Sequence, residues 1–136
     1  MTMSMLVNLK RCTGCWACSM GCKTGNDTPD GEWWQIVRTI GSGAGIDDPA
    51  GVWPDLKMSW MPIWTQKCIK CAPRVAQGEL PYCENSCPTY AITSGDLSDP
   101  ESAISKEKAK LEAKGYRVYE LPSWEGTKAG VLYADL

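Results

Sequence analysis

The sequence predicts an α+β fold in which a strand, a cysteine-rich loop and a short helix occur twice, followed by a longer helix and an extended tail. Three observations lead there. Eight cysteines fall into two groups, Cys12-x2-Cys15-x2-Cys18-x3-Cys22 and Cys68-x2-Cys71-x11-Cys83-x3-Cys87, the second closed by Pro88. Each group follows a stretch with strand character and leads into a helix-like one. Beyond both, Asp99-Pro100-Glu101 opens a helical pattern that stops at Gly115. The organisation is then a core over residues 1–98, carrying an insertion at 23–67, and an appendage over 99–136.

Taken in order, residues 3–8 (MSMLVN) alternate well enough to be a first strand feeding the loop at Arg11. Residues 16–23 make a short helix after Cys15, with Gly25 near its end. Residues 32–40 (EWWQIVRTI) are β-branched and aromatic between glycines, which predicts a strand. Residues 41–54, rich in Gly, Asp and Pro, form a surface loop. In 57–66, Pro62 interrupts Trp60, Met61, Ile63 and Trp64, so the chain approaches the second loop extended rather than helical. Residues 72–81 are an insertion between ligands, 84–90 a helix mirroring the first, and 91–93 a short strand. Asp99 serves as N-cap, with Pro100 at the first helical position and Glu101 in the first turn. That helix carries a thin apolar stripe of Ala103, Ile104 and Leu111, and Gly115 suits a left-handed C-cap. Residues 116–121 and 131–134 are short strands or an extended tail lying on a partner.

Composition limits the function. The chain has 136 residues, is 43% hydrophobic and carries a net charge of −2. That is enough for one ordinary core, and it leaves no basic face for nucleic acid. No stretch approaches the roughly 20 apolar residues of a membrane helix. Residues 1–11 lack the charged start and apolar run of a signal peptide. The expectation is a soluble chain that matures in the cytoplasm, where thiols stay reduced, or leaves it already folded on a partner bearing a twin-arginine signal.

Four cysteines within eleven residues are too crowded for ordinary disulfides, since near neighbours would close strained, very short loops. All-cysteine zinc is the stronger rival, but zinc ligands usually come as two separated pairs. The triplet Cys12, Cys15, Cys18 instead wraps one side of a cubane, as in the bacterial ferredoxin run, whose fourth cysteine ligates the other cluster. Crossing the fourth cysteines assigns Cys12, Cys15, Cys18 and Cys87 to one 4Fe-4S cluster. The other takes Cys22, Cys68, Cys71 and Cys83. The fold is therefore expected to be a pseudo-symmetric two-cluster ferredoxin-like core.

The stretches KRCTGCWACSMGCKTGND and CIKCAPRVAQGELPYCENSCPTYAITSGD resemble the first and third cysteine groups of iron–sulfur subunits in the dimethyl sulfoxide reductase family of molybdenum oxidoreductases. From Leu80 onward the chain is similar to the end of the small subunit of pyrogallol–phloroglucinol transhydroxylase, a member of that family. Most such subunits carry further cysteine groups, so this chain resembles a version reduced to two clusters. The resemblance implies a large catalytic partner holding a bis-pterin molybdenum or tungsten cofactor, in an obligate heterodimer. It further implies a phenolic or catecholic substrate for that partner, and a soluble electron donor such as a ferredoxin or flavodoxin. This chain would itself be non-catalytic.

Seven tryptophans and five tyrosines with no phenylalanine suit an interface, because both residues join apolar area to a hydrogen-bonding group. Trp33, Trp34, Trp53, Trp60, Trp64, Trp124 and Tyr133 are the expected partner surface. The rival functions are a freestanding two-cluster ferredoxin and a zinc-binding interaction module.

Overall fold

The computed structural model describes residues 3–40, 49, 51–120 and 130–135. Strand β1 (Ser4–Asn8) is buried at every position, because it lies inside a four-stranded sheet ordered β4-β1-β6-β5. β4 (Ile92–Gly95) pairs antiparallel to β1 with Leu6 opposite Thr93. β6 (Val131–Asp135) runs parallel to β1 on its other side, with Val7 opposite Tyr133. β5 (Arg117–Glu120) closes the edge antiparallel to β6.

Alternation along β1 divides the core in two. Met5 and Val7 face a cluster with Cys18, Cys68, Cys83, Val37, Trp64 and Tyr133. Leu6 faces the other way, onto Ile104 and Leu111 of α4 (Ala103–Ala113) and onto Ala134. Burying a leucine fully is worth about 1.5–3 kcal/mol, so this second face anchors α4 to the sheet.

Of the two readings of residues 116–121 and 131–134, short strands or an extended tail lying on a partner, the strands hold. β6 is an inner strand of the sheet, and Tyr133 is 2% exposed. The alternation in VLYAD announces a strand, but its parallel pairing with β1 joins opposite ends of the chain, and nothing local encodes that.

Strands β2 (Gln35–Thr39) and β3 (Trp60–Trp64) form a separate antiparallel pair within the 23–67 insertion, with Pro62 opposite Val37. A two-stranded ribbon tolerates Pro62 because each strand has a free edge. The expected loop at 41–54 falls largely outside the described residues.

Helix α1 (Ala17–Gly25) packs against α3 (Tyr82–Ser86) at close range. Two glycines one turn apart on α1 make this possible: Gly21 faces the Ser86 side chain, and Gly25 faces the Tyr82 ring. Helix α3 stops at Ser86 and does not reach residue 90. Pro88 disfavours helical backbone at the residue before it, and Cys87 is accordingly extended, with φ −71° and ψ 115°. The span between Cys71 and Cys83 holds a short helix, α2 (Ala72–Ala76).

Two details of α4 differ from expectation. Its N-cap is Ser102, whose Oγ accepts the Ser105 N–H at 3.4 Å. Asp99 instead forms the turn before it, its carboxylate accepting the Glu101 N–H at 3.0 Å. Ala103 is exposed, so the buried stripe is Ile104 and Leu111. At the other end Gly115, with φ +89°, allows the Gly115 N–H to reach Glu112 O and the Tyr116 N–H to reach Leu111 O. This doubled closure caps the last turn. Among the described residues no helix is long and apolar enough to cross a membrane.

Candidate metal centre

The first cysteine loop leaves β1 through a turn in which the Arg11 N–H reaches Asn8 O at 3.0 Å. Gly14, with φ +70°, turns the backbone between Cys12 and Cys15, and Lys70, with φ +54°, does the same between Cys68 and Cys71. At Gly14 the left-handed turn is combined with tight space: a Cβ there would lie 2.6 Å from ring atoms of Trp60. Only glycine satisfies both demands without strain.

Helix α1 carries Cys18 and Cys22 one turn apart, and Cys83 and Cys87 have the same spacing on α3 and its C-cap. The two elements pack together and span between two cavities. One is lined by Cys12, Cys15, Cys18 and Cys87 with Val37, Pro62 and Thr89. The other is lined by Cys22, Cys68, Cys71 and Cys83 with Met5, Trp34 and Trp64. Each cavity thus draws three cysteines from one sequence group and one from the other. Among the described residues no three Cys, Asp or Glu side chains converge closely enough to hold a single metal ion. The thiols surround a volume rather than a point.

Electrostatics make four of these thiols, Cys12, Cys18, Cys22 and Cys83, unfit to ionise unaided. Burial drives Cys83 well up, and the neighbouring Cys71 and Cys18 add to the effect. Burial pushes Cys22 up to about 11, helped by Cys68 and partly opposed by the Asn26 side chain. Cys12 and Cys18 are also raised by burial. At Cys87 burial raises the value, but hydrogen bonds from Ala91 and Thr89 outweigh it and leave the thiol below its ordinary range. Like charges crowded in a low-dielectric pocket need a cationic group between them to exist as thiolates. The donor set, all sulfur, suits iron.

Hydrogen bonds to sulfur are already in place. The Lys70 and Tyr82 N–H groups reach Cys68 Sγ and Cys71 Sγ at 3.3 and 3.5 Å, and the Ala91 N–H reaches Cys87 Sγ at 3.3 Å. Asn26 Nδ2 donates to Cys22 Sγ at 3.6 Å.

The aromatic residues expected at a partner surface divide. Tyr133 and Trp64 are each 2% exposed, so they belong to this chain's own core and cannot meet a partner. The reason is geometric: Tyr133 lies on the cysteine face of β6, and Trp64 on the inner side of β3 against the second cavity. Trp33, Trp34 and Trp60 are half-buried around the cysteine loops. Trp33 meets Trp16 edge-on at 5.9 Å, and Trp34 donates to Glu32 Oε1 at 3.2 Å. Trp53 is 80% exposed, beside Val52 at 80%. Trp124 lies outside the described residues.

Sequence reasoning missed Gln35 and Ser19, each 1% exposed beside Cys18. The available signal was the alternation Gln35, Val37, Thr39, which puts an amide on the same inward face as a valine.

No protein-family model matches the chain. Among curated proteins, it is 33% identical to a protein of Halobacterium salinarum described as a dimethyl sulfoxide reductase iron–sulfur subunit. That alignment covers 96% of this chain and 78% of the relative. It is 32% identical to the arsenate respiratory reductase iron–sulfur subunit of a Shewanella species, over 74% of the chain and 47% of that protein. With a polysulfide reductase polypeptide of Wolinella succinogenes it shares 54% identity over 29% of the chain and 22% of the relative. The chain therefore spans under half the length of these last two. Such relatives define an iron–sulfur electron-transport subunit of an oxidoreductase. Within that class, the protein belongs to the family of dimethyl sulfoxide reductase iron–sulfur subunits.

Proposed function

We propose that this chain holds two 4Fe-4S clusters in a ferredoxin-like core and passes electrons to or from a molybdopterin site in a large catalytic subunit. The observation that carries the reading is the pair of cavities, each walled by four cysteines drawn from both sequence groups. Thiols that, among the described residues, surround a space without converging on one point suit a compact many-atom cluster better than one tetrahedral ion, whose zinc–sulfur bonds would be about 2.3 Å. In place, the clusters would supply one-electron transfer.

The chain's own residues do the rest. Cysteine thiolates ligate, N–H groups of Lys70, Tyr82 and Ala91 stabilise the sulfur charge, and apolar walls of Val37, Pro62, Trp34 and Trp64 exclude water. Cys18 and Cys22 are four residues apart on α1, a rise of about 6 Å, so the electron step between cavities is short.

The alignment with the Halobacterium relative runs over 210 positions against a chain of 136 residues, so it passes over residues which this chain lacks. That supports a version reduced to two clusters. The partner is proposed to hold a bis-pterin molybdenum or tungsten cofactor and to act on a phenolic or catecholic aromatic, as the resemblance of the tail implies. Assembly belongs in the cytoplasm, where the thiols stay reduced.

The deciding experiment is metal analysis of anaerobically purified chain. About eight irons and eight acid-labile sulfides per chain are expected for two cubanes. Stoichiometric zinc without labile sulfide would sink the proposal. Co-expression with the candidate large subunit then decides between partner and freestanding ferredoxin: a stable one-to-one complex is expected, and a holoprotein that captures no partner favours the ferredoxin.

A further inference from the structure

The Gln35 carboxamide is buried at 1% exposure, and among the described residues neither its Nε2 nor its Oε1 has a hydrogen-bond partner. The Ser19 hydroxyl, also 1% exposed, is likewise unpaired. A buried polar group left unsatisfied costs about 1–3 kcal/mol. Native folds rarely keep such groups without a reason, and a bound group or ion is one of the reasons. Here two orphans lie together.

Their position explains what they are aimed at. β2 packs on α1, whose buried residues are Cys18, Ser19 and Cys22. Within β2, Val37 lines the first cavity, while Trp34, just before the strand, lines the second. Gln35 lies between these two residues, paired with Trp64 across the ribbon. The side chains of Gln35 and Ser19 both stand beside the Cys18 sulfur. Cys18 is also the first-cavity cysteine that packs in one core cluster with Cys68 and Cys83 of the second. It therefore stands on the inner side of its cavity, toward the other centre.

Resting on the two-cluster reading above, we propose that the Gln35 carboxamide, with the Ser19 hydroxyl, donates hydrogen bonds to the Cys18 sulfur, raising the potential of the centre held by Cys12, Cys15, Cys18 and Cys87. A donor to cluster sulfur stabilises the more negative, reduced state and so moves the potential upward. Inside a low-dielectric core such a bond is stronger than it would be in water. Ser19 and Gln35 are positioning residues here: they ligate nothing and act through Cys18. The pairing also gives the orphaned Gln35 N–H and Ser19 O–H groups a partner.

The test uses the full chain, reconstituted anaerobically with ferrous iron and sulfide, in the parent and as Gln35→Leu and Ser19→Ala. Iron and labile sulfide are measured first, then each centre is titrated by paramagnetic resonance. Expected is parental cluster content, with one of the two midpoint potentials moved negative in Gln35→Leu, moved less in Ser19→Ala, and the other unmoved in both. A merely structural role would lower cluster content or stability without shifting one potential selectively. Two unchanged potentials at full content would overturn the inference while leaving the two-cluster reading intact. If Gln35→Leu fails to take up clusters, Ser19→Ala decides alone, and unchanged potentials there overturn the inference. A parent that binds zinc and no sulfide overturns both.

Discussion

The Tyr133 hydroxyl donates to the Pro62 carbonyl at 2.7 Å, inside the core. This bond ties the last strand of the four-stranded sheet to the β2–β3 ribbon, at a residue that walls the first cavity. Tyr133→Phe keeps the ring and removes the donor, leaving a buried carbonyl unpaired. Loss of about 1–2 kcal/mol is expected, read as a lower denaturant midpoint of the holoprotein. An unchanged midpoint would show that the two sheets are held by apolar packing alone.

A Cβ added at Gly25 would lie 2.6 Å from ring carbons of Tyr82. Gly25→Ala should therefore push α1 and α3 apart, at a cost of about 1–3 kcal/mol, and reduce iron content, because these helices deliver Cys22 and Cys87 across to the opposite cavities. Adding Tyr82→Ala removes the clash, so the double variant should recover part of the lost iron. Equal loss in single and double variants would show that the close approach is not what matters.

Crossed lining of the cavities predicts crossed damage. Cys87→Ser should weaken the centre shared with Cys12, Cys15 and Cys18, and Cys22→Ser the one shared with Cys68, Cys71 and Cys83. Paramagnetic resonance of the reduced variants separates the two signals. Loss confined to each residue's own sequence group would contradict the crossed arrangement.

Trp53 and Val52, both 80% exposed, are unspent apolar area. If the proposed large subunit covers them, Trp53→Ser should weaken the complex by about 2 kcal/mol, roughly thirtyfold, as central aromatic anchors do. Stability of the isolated chain should change by no more than about 0.5 kcal/mol. Affinity measured with the co-expressed partner checks both halves.

The cysteine spacings, strand β1 and the stop at Gly115 were legible residue by residue, because each depends on local chemistry: donor type, alternation, a backbone free to turn left-handed. The end of α3 shows how local rules must be combined, since the residues after Ser86 read as helical until the constraint of Pro88 on Cys87 is applied. Tertiary structure alone decided three things. It put β6 inside the sheet beside β1, turning Tyr133 from expected surface into core. It set α1 against α3 at the close range that Gly21 and Gly25 allow. It buried Gln35 against Cys18 and Ser19. All three join residues far apart in the chain through packing, and a sequence records the residues that can pack but not which of them meet.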